Sequence, residues 1–91
     1  VEYGNADAQN NLGECYRYGF VGSEGINYAE ALRLYRLAAD QGHAGAMNNL
    51  GQFHRYGLGV TKNATEAVKW FRKAADQGSE EAKAALKELG K

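Results

Sequence analysis

Two asparagine pairs and two arginines are the groups in this sequence best suited to recognition chemistry. Asn10-Asn11 is followed six residues on by Arg17-Tyr18, and Asn48-Asn49 is followed at the same spacing by Arg55-Tyr56. A side-chain amide both donates and accepts hydrogen bonds, so it satisfies a peptide backbone without reading its sequence. A guanidinium presents a rigid fork of donors that matches a carboxylate. A set of this kind, repeated in register, suits capture of a peptide or protein segment. The residues expected to meet such a partner are Asn10, Asn11, Glu14, Arg17 and Tyr18, then Asn48, Asn49, Gln52, Arg55 and Tyr56. Each has a structural reading beside the functional one. The asparagines can bond a neighbouring helix. The arginines can pair with nearby acids or complement the negative end of a helix. The tyrosines can pack against the loop that follows.

Catalysis has little support. His43 and His54 lie eleven residues apart with one cysteine in the whole chain, which is no metal-ligand spacing. Cys15 and His54 would sit on neighbouring helices, so a nucleophile pair is a remote alternative. Cys15, however, occupies the register slot of Phe53, and a cysteine in the core is inert. Neither a catalytic centre nor a cofactor nor a metal is expected. Lys62, Lys69, Arg72 and Lys73 cluster, but Glu66 and Asp76 interleave with them, as on a solvated helix face. Eleven basic and eleven acidic residues give zero formal charge, which argues against nucleic acid as the partner. No run of 18 apolar residues is present, so no membrane insertion is expected. A lone cysteine allows no internal disulfide. The chain is expected to behave as a soluble monomer, and its composition assigns it to no compartment.

The elements that must position these groups are helices. One is expected over residues 6–18, with Asn5 as N-cap and a stripe of Ala8, Leu12, Cys15 and Tyr16 at helical spacing. Gly13 interrupts it at a cost of about 1 kcal/mol relative to alanine. Gly51 recurs at the same place, which points to close approach of another helix. A second helix is expected over 28–41, opened by an Asn27/Glu30 capping box, with an apolar face of Ala31, Leu32, Tyr35, Ala38 and Ala39, and stopped by Gly42. The pattern then repeats. A helix over 44–56 carries Ala46, Leu50 and Phe53 inward, with His54 where the first copy has Tyr16. A helix over 64–77 follows, capped by Asn63/Glu66, with Ala67, Val68, Trp70, Phe71, Ala74 and Ala75 as its core face. Ser79 opens a fifth helix over 80–89, in which Lys87 replaces the glycine. The first loop, Gly19 to Ile26, is two residues longer than the second, Gly57 to Lys62, and the insertion brings in Phe20 and Val21.

The repeated pattern Ala-x-x-x-Leu-Gly-x-x-Tyr-x-x-Gly, a glycine loop, then Glu-Ala-x-x-x-Tyr/Phe-x-x-Ala-Ala-x-x-Gly resembles the SLR (Sel-one-like repeat) family. The residues concerned are Ala8, Leu12, Gly13, Tyr16, Gly19, Glu30, Ala31, Tyr35, Ala38, Ala39 and Gly42. The second copy supplies Ala46, Leu50, Gly51, Gly57, Val60, Ala67, Trp70, Phe71, Ala74, Ala75 and Gly78. The tetratricopeptide repeat is a cousin with a 34-residue period and a terminal proline. Here the period is 36 to 38 and glycine stands at the end. The resemblance implies an all-α solenoid of stacked antiparallel helix pairs in a right-handed superhelix. It also implies a non-enzymatic adaptor or scaffold that binds a protein or peptide on the concave side lined by the first helix of each pair. Asn11 and Asn49 match the position at which the tetratricopeptide cousins bind a peptide's backbone or terminal carboxylate. A structural spacer within a longer solenoid is the alternative. On this reading residues 1–4 end a preceding repeat, repeat one covers about 5–42, repeat two about 43–78, and 79–91 form a capping helix.

Overall fold

The computed structural model describes residues 5–19 and 25–91. The expected remnant at 1–4 and the Phe20-Val21 insertion lie outside the described residues. Five helices follow one another: α1 (Ala6–Tyr18), α2 (Tyr28–Asp40), α3 (Ala44–Tyr56), α4 (Ala64–Asp76) and α5 (Glu80–Glu88). No strand occurs among the described residues. Each helix packs on the next, α1 against α2, α3 against α4, with α2 on α3 and α4 on α5 joining the pairs into an elongated stack of 39 × 24 × 16 Å.

Every helix start is satisfied by a side chain. Asn5, Asn27 and Asn63 accept the N–H of Ala8, Glu30 and Glu66, each at 3.0 Å, and Ser79 accepts that of Ala82 at 3.1 Å. The α3 cap is His43, whose Nδ1 accepts from the Ala46 N–H at 3.0 Å. The expected capping boxes form only on one side. The Asn27 N–H donates to the Tyr16 carbonyl and the Asn63 N–H to the His54 carbonyl, each at 2.8 Å. That donor is therefore already used, and Glu30 turns instead to Arg33, whose hydrogen bonds hold its carboxyl below the usual range. These two backbone bonds tie the start of each second helix to the end of the first.

The mid-helix glycines have a steric reason. A Cβ on Gly13 would lie 2.8 Å from Tyr35 Cε1, and one on Gly51 would lie 2.5 Å from Phe71 Cε1. Each glycine admits the buried aromatic ring of its own repeat's second helix. Burial of such a ring contributes about 1.5–3 kcal/mol, enough to offset the helix cost of glycine, about 1 kcal/mol.

The core runs through α2, α3 and α4, where Ala31, Tyr35, Ala38, Ala46, Leu50, Phe53, Ala67, Phe71 and Ala74 are fully buried, and Ala82 extends it into α5. Small alanines set the helices close, and the four large buried side chains fill the space between. Leu34 is also buried although it lies off the expected stripe of α2. The physical reason is that α2 is covered by both α1 and α3, so its buried arc is wider than one stripe. On α1 the expected apolar residues Ala8, Leu12, Cys15 and Tyr16 are only half buried, while Gln9, Asn10 and Gly13 are buried. Trp70 is likewise half buried, with the Lys73 ammonium 4.7 Å from its ring centre.

Candidate partner-binding face

Side chains of α1 and α3 meet along one line. Asn49 Nδ2 donates to Asn10 Oδ1 at 3.0 Å. Asn49 Oδ1 in turn accepts from Arg17 Nη1 at 3.4 Å. Both asparagines are only 8% exposed. The guanidinium carbon of Arg17 lies 5.4 Å from the Phe53 ring centre and 5.2 Å from that of Tyr18. Phe53 is itself wedged edge-on between Tyr28 and Tyr35, at 5.7 and 5.2 Å. Arg17 thus sits half buried above an aromatic cluster, where a cation gains from the ring quadrupoles. The Tyr35 hydroxyl in that cluster is enclosed, with the Arg17 guanidinium as its polar neighbour. Burial pushes its pKa up to about 12, with the nearby Arg17 charge pulling the other way.

The second copy is built differently. Arg55 Nη1 donates to Glu88 Oε1 of α5 at 2.9 Å, and its guanidinium covers the Tyr56 ring at 5.2 Å. In repeat register Glu88 stands where the first junction has Gln52, and Ala85 stands where it has Asn49. The Asn48 carbonyl, the counterpart of the one on Asn10, therefore has no amide to receive there, and its enclosed Oδ1 has no hydrogen-bond partner among the described residues. Gln52 Oε1 is in the same condition.

Of the remaining expected residues, Asn11 is exposed and takes no part in the asparagine line, and Glu14 is half buried one turn before Arg17. Tyr18 and Tyr56 are 55% and 58% exposed. Among the described residues no carboxylate forms an ion pair with Arg17. The ends of α1 and α3 therefore present two exposed tyrosines in register, with one arginine paired to an acid and one not.

Two further links between α1 and the turn joining α2 to α3 were not legible as motifs. Gln41 Nε2 donates to Gln9 Oε1 at 2.6 Å, and His43 Nε2 lies 2.8 Å from Asp7 Oδ1. Because Nδ1 of His43 is the α3 cap, the ring proton sits on Nε2, which donates to Asp7. Neither pair recurs in the second copy, so no repeat signal marks them. His54 is buried, its enclosed Nε2 has no partner among the described residues, and burial lowers its pKa, with Glu66 acting in the opposite sense. No hydrogen bond joins it to Cys15, which is half buried. Among the described residues no three His, Cys, Asp or Glu side chains gather as a metal site, and no described helix is long and apolar enough to cross a membrane. Two surface depressions, one of about 440 Å³ between α4 and α5 and one of about 350 Å³ between α1 and α2, are lined by none of the expected binding residues.

The Sel1 repeat model matches residues 6–43 and again residues 44–79. The chain belongs to the Sel1 repeat family. Such repeats are TPR-like α-solenoid units, typically non-catalytic and typically modules for protein–protein interaction. Among solved structures, the Sel1 repeat protein from Oxalobacter formigenes is similar over 96% of this chain and 34% of its own, with 40% identity and a TM-score of 0.88. A protective antigen present in uropathogenic Escherichia coli strains, displaying an SLR fold, is similar over 84% of this chain and 16% of its own, with 37% identity and a TM-score of 0.77. Chitin synthase regulatory factor 2 of Schizosaccharomyces pombe is 40% identical over 73 residues, which are 80% of this chain. The chain spans 14% of that relative's length.

Proposed function

We propose that this Sel1 repeat chain binds an extended peptide, or an extended segment of a protein partner, across the face shared by α1 and α3. The observation that carries this reading is Arg17. It is held by Asn49 and stacked on Phe53 and Tyr18, yet no carboxylate of the described residues pairs with it. Asn10 and Asn49 position it, while Arg17, Tyr18, Tyr56, Asn11 and Glu14 face the ligand, with Asn48, Gln52 and Arg55 continuing the face toward α5. Exposed aromatic and arginine side chains are the groups that dominate binding energy at interfaces. Packed helices lie about 10 Å apart and an extended strand advances about 3.3 Å per residue, so Tyr18 and Tyr56 would meet ligand positions about three residues apart. The name of the fission-yeast relative, a regulatory factor of chitin synthase, fits a role exerted through contact with another protein.

A random peptide library displayed on phage and selected on this chain tests the proposal. Selected peptides should perturb backbone amides of α1 and α3 in NMR titration, and Tyr18→Ala with Tyr56→Ala should abolish their binding while leaving the fold intact. Perturbations confined to α4 and α5, or peptides indifferent to both tyrosines, refute it. One observation favours a second reading, that of a spacer: Asn10 and Asn49 are spent on each other, and Arg55 is spent on Glu88. Failure of the library to yield any peptide for this face would support the spacer.

A further inference from the structure

We infer that Arg17 is the seat for an acidic side chain of the partner, a glutamate or aspartate, and that the second junction displays how such a group is held. This rests on the α1–α3 face being the binding surface. Arg17 and Arg55 occupy equivalent places in the last turns of α1 and α3. Each guanidinium covers the ring of the tyrosine that follows, at the same 5.2 Å. At Arg55 a carboxylate of the chain itself, Glu88, completes the arrangement at 2.9 Å. At Arg17 the equivalent position is Gln52, which is neutral, and among the described residues Asn49 accepts from the guanidinium at 3.4 Å.

A neutral amide at that distance is a weak partner beside a charge-assisted bond. The half-buried setting over Phe53 raises the strength of any ion pair formed there above that of an exposed pair. Among the described residues, one of the two equivalent cation seats is thus filled by an acid of the chain and the other is not. Glu14, one turn before Arg17, carries the same sign as the incoming group and limits its affinity. The face is thereby asymmetric: it takes one acid, at the α1 end, rather than an acid at each repeat.

The test uses two blocked tripeptides that differ only in a central glutamate or glutamine, titrated into the ¹⁵N-labelled chain while the arginine Nε–H resonances are followed. The Arg17 signal should move with the glutamate peptide and not with the glutamine peptide, while Arg55 stays still with both. Gln52→Glu gives Arg17 an internal carboxylate and should weaken the glutamate peptide about tenfold, the loss of one charge-assisted bond. Glu88→Gln should make Arg55 respond to the glutamate peptide. If Gln52→Glu fails to fold, Arg17→Gln replaces it, and the preference for the glutamate peptide should vanish. Equal response of Arg17 to both peptides overturns the inference, as does an unaltered response in Gln52→Glu. If charge-blind shifts still trace α1 and α3, the binding face stands and only the carboxylate seat falls. If no shift occurs on that face, both fall.

Discussion

Asn49 donates to Asn10 across 3.0 Å between α1 and α3, and this fixes which way its own carbonyl points, toward Arg17. The amide of Asn49 is thus oriented by one repeat's first helix in order to hold a cation of the same helix. Removing either asparagine leaves a buried polar group of the other, the Asn49 amide N–H or the Asn10 carbonyl, without its partner, which costs about 1–3 kcal/mol. Asn49→Ala and Asn10→Ala should each destabilise the chain by that much in urea unfolding. The double variant should lose less than the sum of the two, by at least about 0.5 kcal/mol, because the residues share one bond.

The orphaned Asn48 carbonyl makes an opposite expectation. Ala85→Asn places an amide where the first junction has Asn49 and should supply the missing donor. A gain of about 0.5–1.5 kcal/mol in urea unfolding is expected. No gain would mean that α5 is set at a different distance from α3 than α3 is from α1.

Alanine is the better helix former, so Gly→Ala within a helix ordinarily stabilises by about 1 kcal/mol. Here Gly51→Ala should destabilise instead, by about 1–3 kcal/mol, because the new methyl overlaps the Phe71 ring. Gly13→Ala meets Tyr35 at a slightly longer distance and should lose less. Paired thermal melts give the order. Pairing Gly51→Ala with Phe71→Leu should recover part of the loss.

His54 makes stability depend on pH. Burial lowers its folded pKa below the ordinary value of 6.5, so the unfolded chain binds this proton more readily. Stability from this source is complete above about pH 6.5, falls as the pH drops below it, and levels off below the folded pKa. His54→Phe, which keeps the ring volume without the titration, should flatten that part of the profile. The measurement is the difference in unfolding free energy between the two proteins from pH 8 to pH 5.

The stack was legible because its rules are local and recur. Gly13 and Gly51 announced a close approach, and Tyr35 and Phe71 are the rings that make it. Asn27, Asn63 and Ser79 cap the helices they were expected to open. What the sequence hid were the links made once. His43 serves as a cap through a ring nitrogen, a role asparagine or serine fills elsewhere in the chain, and its bond to Asp7 has no counterpart one repeat on. The burial of Asn10 was hidden for another reason: an amide on a helix surface reads as solvent-facing until its partner on the next helix is known. Glu30 and Glu66 looked like the second half of a capping box, but the backbone donor they would need is already claimed by α1 or α3.

The Asn27-to-Tyr16 and Asn63-to-His54 bonds close two hairpins of identical form over connections that differ by two residues. The pairing of helices is thus decoupled from the length of the segment joining them. Those connections are the natural sites for insertions, tags or grafted loops, since diversification there leaves the closing bond and the helix register unchanged.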